Sequence, residues 1–137
     1  GCGTLSLPLV EQGVQIVAVE QDRKALAALK DGADAAGRGG QVSGRSTDLA
    51  NAPLAADDLA GFDAVILDPP RSGASAQCAE LARSRVPRIV MVSCNPASFA
   101  RDAAVLCDGG YGCDWVQVID QFRMSKHIEM VAQFSRI

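Results

Sequence analysis

Short β-rich runs alternate with Ala-rich helical runs through most of the chain, and this alternation restricts the possible folds more than any other feature. Each β-rich run is followed by a polar or glycine-containing turn, and Asp22 and Pro96 are suited to begin helices. Strands alternating with helices form βαβ units around a mostly parallel sheet. The predicted elements are a buried strand at 14–20, a helix at 23–36, a strand at 41–46, a strand at 62–67, a helix at 74–85, a strand at 88–93 and a helix at 96–107.

Two β-rich runs close the chain, Trp115–Ile119 and Met130–Phe134, with no helical run between them. This spacing predicts one antiparallel strand at the end of an otherwise parallel sheet. The predicted fold class is therefore α/β, with a Rossmann-like sheet that resembles the class I S-adenosylmethionine-dependent methyltransferases. Ligands of such sheets bind outside the carboxyl ends of the strands, where the polar motifs of this chain fall.

Length and composition are those of one soluble domain, and we expect a single catalytic domain over residues 1–137. No secretory signal and no apolar run near the ~18 residues of a membrane span is apparent, which favours a cytoplasmic protein without a membrane partner. A net charge of −3 argues against a surface coated in positive charge for nucleic acid. The five cysteines contain no C-x-x-C pair, so we expect free thiols and no metal site.

The run Ser93-Cys94-Asn95-Pro96 contains the strongest candidate for a catalytic residue. Cys94 directly follows a predicted strand and precedes a predicted helix, whose positive end favours a thiolate nucleophile. The alternative is an ordinary core cysteine. The other cysteines have no such setting and are predicted to be structural: Cys2, Cys78, Cys107 and Cys113.

Two further motifs follow predicted strands or begin them. Asp68-Pro69-Pro70-Arg71 ends a strand with a carboxylate that can bind a base or cofactor and an arginine that can bind phosphate; a strand-ending turn is the alternative. In His127-Ile128-Glu129 the first and third side chains share a face. Glu129 is a candidate general base, and His127 is predicted to orient its neighbours.

Glycines and acidic residues near the start of the chain fit a nucleoside-containing cofactor. The turn Gly1-Cys2-Gly3 allows close approach of the backbone to a ligand, although a flexible start is the alternative. Glu20 ends a predicted strand, where a carboxylate accepts the hydroxyls of a ribose, unless it is simply a solvated acid. Asp48 ends the next strand region and is predicted to lie near the adenine.

The order D-P-P-R, S-C-N-P and H-I-E resembles the RNA (uracil-5-)-methyltransferase family, and most closely its bacterial ribosomal-RNA branch. The resemblance covers nearly the whole chain. It implies methylation of carbon 5 of a uridine in RNA, with S-adenosylmethionine as the cofactor. It also implies that Cys94 attacks carbon 6 of the uracil ring and that Glu129 removes the proton from carbon 5.

The same resemblance implies roles for the remaining residues. Arg71, Asn95 and His127 would hold or orient the substrate, and Asp68 would contact base or cofactor. RNA is the expected partner, ribosomal RNA rather than transfer RNA, and no obligate protein partner is expected. The expected cofactor-binding residues are Gly1, Gly3, Thr4, Glu20, Asp48 and Asp68.

The chain departs from the family pattern in two respects. Arg123 and Ser125 stand where the family has a proline and a threonine. The strand that precedes the glycine turn, the upstream RNA-binding domains and the iron–sulfur cysteines of some members are also absent from the sequence, so we expect this chain alone to bind cofactor weakly and not to methylate. Four basic residues form either a phosphate-binding rim or scattered surface charge: Arg71, Arg101, Arg123 and Lys126.

Two other functions are compatible with parts of the sequence. An amino-directed nucleic-acid methyltransferase uses D-P-P and would not need Cys94. A non-catalytic module that binds S-adenosylmethionine would need neither Cys94 nor Glu129.

Overall fold

A computed structural model of the protein describes residues 1–120, 124 and 127–137. The chain divides into two units, Gly1–Ala52 and Pro53–Ile137. The expectation of a single domain stays a prediction. Three residues of the sequence analysis, Arg123, Ser125 and Lys126, lie outside the described residues.

The first unit is a parallel pair of strands with helices against it. Its strands pair in register from Ile16 opposite Val42 to Glu20 opposite Ser46. Its small core contains residues of both helices and of the second strand, Val10, Leu29, Ala33 and Val42. The elements are α1 (Ser6–Glu11), β1 (Ile16–Glu20), α2 (Arg23–Ala35), a 3-10 turn (Gly39–Gln41) and β2 (Val42–Ser46).

The helix α2 begins as the sequence predicts. Asp22 is its N-cap, and its Oδ1 accepts hydrogen bonds from the backbone N–H groups of Lys24 at 2.8 Å and Ala25 at 3.4 Å. These bonds satisfy two donors that have no partner within the helix.

The prediction that the strand at 14–20 is buried is wrong. Ile16 and Ala18 pack against the core, but Val17, on the opposite face, is 47% exposed. Side chains alternate between the two faces of a strand. A continuous apolar run predicts that both faces of a strand are covered. Within residues 1–52, which are all described, the core cluster lies against one face of β1.

The second unit is a four-stranded sheet in the order β3-β4-β6-β5. β3 and β4 are parallel, and β6 runs antiparallel to both β4 and β5. The predicted antiparallel terminal strand is therefore confirmed, and it lies inside the sheet between its neighbours. The elements are β3 (Val65–Leu67), α3 (Ser75–Arg83), β4 (Arg88–Ser93), α4 (Pro96–Asp108), β5 (Tyr111–Ile119) and β6 (Glu129–Arg136).

β4 has its predicted limits, but the other strands differ from theirs. β1 and β2 start two residues and one residue later than predicted, and β6 extends from Glu129 to Arg136. β3 covers only the last three residues of the predicted strand, which pair with Ile89, Val90 and Met91 of β4. β5 starts at Tyr111, four residues early, because it pairs with β6 as far as Arg136 across a bulge at Cys113 and Trp115.

The core of the second unit lies between one face of this sheet and the helices. Ile89 and Met91 of β4 are fully buried, and so are Ala132 and Phe134, their partners on β6. Paired residues share a face, so this alternation fixes the pairing register. Among the helices that the structure describes, none is long and apolar enough to cross a bilayer.

Removal of the Tyr111 hydroxyl tests the packing of this core. The buried hydroxyl donates to the Val86 carbonyl at 2.7 Å. We expect Tyr111→Phe to lower the free energy of unfolding by about 1–3 kcal/mol, because the buried carbonyl loses a partner. Urea unfolding followed by circular dichroism measures the change. Val118→Thr, at a side chain that is 52% exposed, should change it by less than about 0.5 kcal/mol, and equal stability of Tyr111→Phe and wild type would refute the assignment.

Candidate active site

The pairing of β4 with β6 brings the two predicted catalytic residues to one edge of the sheet. Ser93, the last residue of β4, pairs with Met130, near the start of β6. Cys94 follows Ser93 and Glu129 precedes Met130, so the antiparallel register places both at the carboxyl end of β4. This is the edge at which ligands of α/β sheets bind.

A pocket of about 260 Å³ opens at this edge. It is lined by Arg71, Cys94, His127 and Glu129. Cys94 and Glu129 are half-buried, whereas Arg71 and His127 are exposed. The structure thus gathers one thiol, one carboxylate, one guanidinium and one imidazole from three separate motifs of the sequence.

Cys94 lies in the turn between β4 and α4, next to the helix cap. Asn95 is the N-cap of α4, and its Oδ1 accepts a hydrogen bond from the Ala97 N–H at 3.1 Å. Its Nδ2 donates to the Arg71 carbonyl at 2.9 Å. Asn95 therefore connects the turn that carries Cys94 to the turn that carries Arg71, without itself lining the pocket.

Arg71 and His127 are hydrogen-bonded across the pocket, with Nη1 and Nδ1 3.1 Å apart. A guanidinium has donors and no acceptor, so the Nδ1 of His127 accepts this bond. The ring proton is then on Nε2. The contact is compatible with the orienting role predicted for His127, which stays a prediction.

The other cysteines have different surroundings. Cys78 is 0% exposed in α3, and burial, with the nearby charge of Asp102, raises the pKa of its thiol to about 12. Cys2, Cys107 and Cys113 are exposed and do not line the pocket.

In the first unit the Gly1 turn lies next to Glu20. The Gly1 nitrogen lies within hydrogen-bonding distance of Glu20 Oε2, and the Asp22 N–H donates to Oε1 at 3.0 Å. The Glu20 side chain is half-buried, and its carboxylate has further acceptor sites for the hydroxyls of a ribose.

The other predicted cofactor residues have mixed settings. Gly3 has φ of +114°, and a Cβ there would lie 2.8 Å from Leu29 Cδ1, so the turn requires glycine. Thr4 is exposed. Asp48 accepts hydrogen bonds from the Ala50 N–H at 3.0 Å and the Asn51 amide at 2.7 Å, which shape its loop. Gly3 is itself buried, whereas Gly1 is exposed and Asp48 is half-buried.

Asp68 directly follows β3 in the second unit and is exposed. It is not among the four residues that line the pocket. Within residues 1–120, 124 and 127–137, no group of three or more His, Cys, Asp or Glu residues is placed to hold a metal ion.

Two residues near the site, Arg101 and Asp102 of α4, have contacts that the sequence analysis did not predict. Arg101 Nη2 donates to the Ser72 carbonyl at 2.8 Å, and Asp102 Oδ2 accepts a hydrogen bond from the Ala74 N–H at 2.6 Å. The guanidinium of Arg101 is therefore held by these contacts, although its side chain is 50% exposed. The basic rim stays a prediction. The sequence did indicate that Asp102 is buried. It lies four residues from both Ser98 and Leu106, so the three side chains share one face of α4, which is the buried one.

Residues 53–137 match the family described as tRNA (uracil-5-)-methyltransferase. The chain belongs to this family. It is 48% identical to an uncharacterized RNA methyltransferase of Agrobacterium fabrum over 96% of this chain and 32% of that protein. It is 39% identical to the 23S rRNA (uracil(1939)-C(5))-methyltransferase RlmD of Alteromonas mediterranea over 99% of this chain and 28% of that protein. The chain thus spans about a third of the length of such relatives.

Solved structures confirm the predicted fold class. The Pyrococcus abyssi tRNA (uracil-54, C5)-methyltransferase, solved with S-adenosyl-L-homocysteine, matches with a TM-score of 0.83 and 28% identity over 98% of this chain and 32% of that chain. The magnesium protoporphyrin IX methyltransferase of Synechocystis matches with a TM-score of 0.71 at 20% identity, over 100% of this chain and 66% of that chain. The fold is that of the class I S-adenosylmethionine-dependent methyltransferases.

Thiol alkylation tests the contrast between Cys94 and Cys78. At pH 8 iodoacetamide should modify Cys94, which is half-buried at a pocket, and leave Cys78 unmodified. A pKa of about 12 keeps the Cys78 thiol protonated at this pH, and burial blocks access. Peptide mapping by mass spectrometry gives the result, and denaturation before alkylation is the control that should expose Cys78. Modification of native Cys78 at the rate of Cys94 would contradict this description of the core.

Proposed function

We propose that the protein carrying this chain methylates carbon 5 of a uridine in RNA through a covalent adduct with Cys94. The observation that supports this proposal is the pocket in which Cys94 and Glu129 lie together with Arg71 and His127. Family membership supports the reaction class. Because the chain spans about a third of its relatives, the activity is proposed for the whole protein.

Cys94 has the first chemical role. Carbon 5 of uracil is a poor nucleophile, and addition of a thiolate to carbon 6 makes it a strong one. A bond forms between the Cys94 sulfur and carbon 6, and the electron pair of the ring double bond moves to carbon 5 and the adjoining carbonyl. S-adenosylmethionine, when bound, would supply the methyl group that carbon 5 takes, with its sulfur–methyl bond broken and S-adenosylhomocysteine as the leaving group. The half-buried position of Cys94 leaves its sulfur accessible to a ring that enters the pocket.

Glu129 completes the reaction as a general base. Its carboxylate takes the proton from carbon 5, and the electron pair of that carbon–hydrogen bond restores the ring double bond. The bond between carbon 6 and sulfur breaks, and the Cys94 thiolate is released. The proton remains on Glu129 until solvent takes it. The position of Glu129 at the same strand edge as Cys94 suits it for a proton on the same ring.

The other site residues bind and orient. Arg71 is proposed to hold an anionic group of the substrate, with His127 fixing its side chain through the 3.1 Å contact. Asn95 holds the Arg71 carbonyl. Asp68 is assigned to the target base or the cofactor. The residues proposed to bind S-adenosylmethionine in the first unit are Gly1, Gly3, Thr4, Glu20 and Asp48.

We propose ribosomal RNA as the substrate. The support is the 39% identity to an enzyme named for 23S rRNA, and also the names of several relatives as RNA methyltransferases. The family description and the Pyrococcus abyssi structure name transfer RNA, which is the alternative substrate.

A trapping experiment with the full-length protein tests Cys94. RNA carrying 5-fluorouridine should form an adduct with the wild type that survives denaturation, because fluorine cannot leave as a proton does. Cys94→Ala should form none, whereas Cys107→Ser, at an exposed position of α4, should form the wild-type amount. Mass spectrometry maps the attachment, with ribosomal and transfer RNA transcripts compared. No adduct on RNA that is methylated when unsubstituted would refute the mechanism and favour amino-directed chemistry.

Substitution of Glu129 tests the second step. With ordinary RNA, Glu129→Gln should accumulate the methylated adduct, since a neutral amide cannot take the proton from carbon 5. Release of 5-methyluridine should fall by roughly 10²–10⁴-fold. Quenched reactions with tritiated cofactor, separated under denaturing conditions, measure both species. Glu11→Gln, at an exposed end of α1, is the matched control, and unchanged turnover in Glu129→Gln would exclude this role.

A further inference from the structure

A buried carboxylate beside the active-site pocket has no part in the reaction described above. Asp102 of α4 is 1% exposed. Burial of a carboxylate is unfavourable unless hydrogen-bonding partners replace water. Its partners are the Ala74 N–H, at 2.6 Å from Oδ2, and the Arg101 guanidinium, whose Nε and Nη2 lie 2.9 and 2.8 Å from Oδ1.

These partners lead to the segment that follows Arg71. Arg101 Nη2, held by Asp102, also donates to the Ser72 carbonyl at 2.8 Å. Asp102 thus holds this segment directly at Ala74 and through Arg101 at Ser72. Asn95 holds the carbonyl of Arg71 itself at 2.9 Å. Three successive attachments therefore come from α4 and its cap.

Gly73 is the residue that permits this close approach. Its φ is +83°, and a Cβ at this position would overlap Asp102 Oδ2, Arg101 Nη2 and Ser98 Cβ. Any other residue would both strain the backbone and push α4 away from the turn. The turn at 72–74 is consequently built around the carboxylate of Asp102.

We propose that Asp102 is a positioning residue for the methyl-transfer reaction. It sets the position of the backbone from Arg71 to Ala74, and hence the direction from which the Arg71 side chain reaches His127 and the pocket beside Cys94. This inference rests on the proposed function. A small displacement of a substrate-holding group lowers the rate of a reaction steeply, by up to about 10²-fold for about 1 Å.

A purely structural role makes a different prediction. Ala74 is the N-cap position of α3 and has no side-chain cap, so Asp102 also satisfies the start of that helix. If this were its whole effect, any comparable loss of stability at α3 would reduce activity equally. Gln77 of α3 provides the comparison, because it is buried and its amide exchanges two hydrogen bonds with Leu54, away from the pocket residues.

The test compares Asp102→Asn, Gly73→Ala and Gln77→Ala in the full-length protein. The first variant keeps an acceptor for the Ala74 N–H and loses the charge that holds Arg101, and the second displaces the turn and leaves Asp102 intact. We expect both to form the 5-fluorouridine adduct roughly 10–100-fold more slowly than wild type at saturating RNA. Gln77→Ala should lower the melting temperature by a similar amount. Its rate of adduct formation should nevertheless stay within about twofold of the wild-type rate, because this variant leaves the geometry of the site intact.

The outcomes separate the two proposals. No adduct with the wild-type protein overturns the proposed function. An adduct with wild type, together with wild-type rates in folded Asp102→Asn and Gly73→Ala, overturns only the positioning role of Asp102. Equal slowing in Gln77→Ala also overturns it, because loss of stability alone then accounts for the effect.

Discussion

The antiparallel course of β6 next to β4 is the constraint on which the candidate site depends. Parallel neighbours end at the same edge of a sheet, so a parallel β6 would begin at the opposite edge from Cys94. Because β6 runs in the reverse direction, its first residue, Glu129, lies next to the last residues of β4. One reversal of chain direction therefore brings the Cys94 thiol and the Glu129 carboxylate together from distant positions in the sequence.

The helix α4 then organises the remaining part of the site. Its cap, Asn95, follows Cys94 directly and binds the backbone of Arg71, and its second turn provides Arg101 and Asp102 for the same segment. Ser98 lies between these contacts, and its hydroxyl donates to the Asn95 carbonyl at 3.2 Å. A single helix thus joins the turn after β3 to the turn after β4. Those two turns contain four of the predicted site residues, Asp68, Arg71, Cys94 and Asn95.

Local sequence patterns predicted the elements whose ends depend on nearby residues. α2 begins at its Asp22 cap, α4 begins at Pro96, and β4 has the predicted limits. Features that depend on distant residues were missed. The one-sided burial of β1 depends on which layers cover it, and the lengths of β3 and β5 depend on their partners.

The same division applies to the site. The motifs predicted the residues of the pocket, and the resemblance assigned these residues to one reaction. No local sequence pattern, however, predicts the order of the strands in the sheet. The pocket of Arg71, Cys94, His127 and Glu129 is the structure's contribution. Asp102 and Gly73 escaped prediction because an aspartate on a helix and a glycine after prolines look ordinary until the two are seen in contact.

The register of β6 has a consequence for how the chain tolerates change. Met130, Ala132 and Phe134 are buried on one face of β6, and a slip of one residue would expose all three. The position of Glu129 is therefore fixed by the buried apolar side chains of β6 that follow it, and not by the number of residues between Ile119 and Glu129. A change in the length of the chain between Ile119 and His127 would therefore leave the carboxylate at the same place beside Cys94.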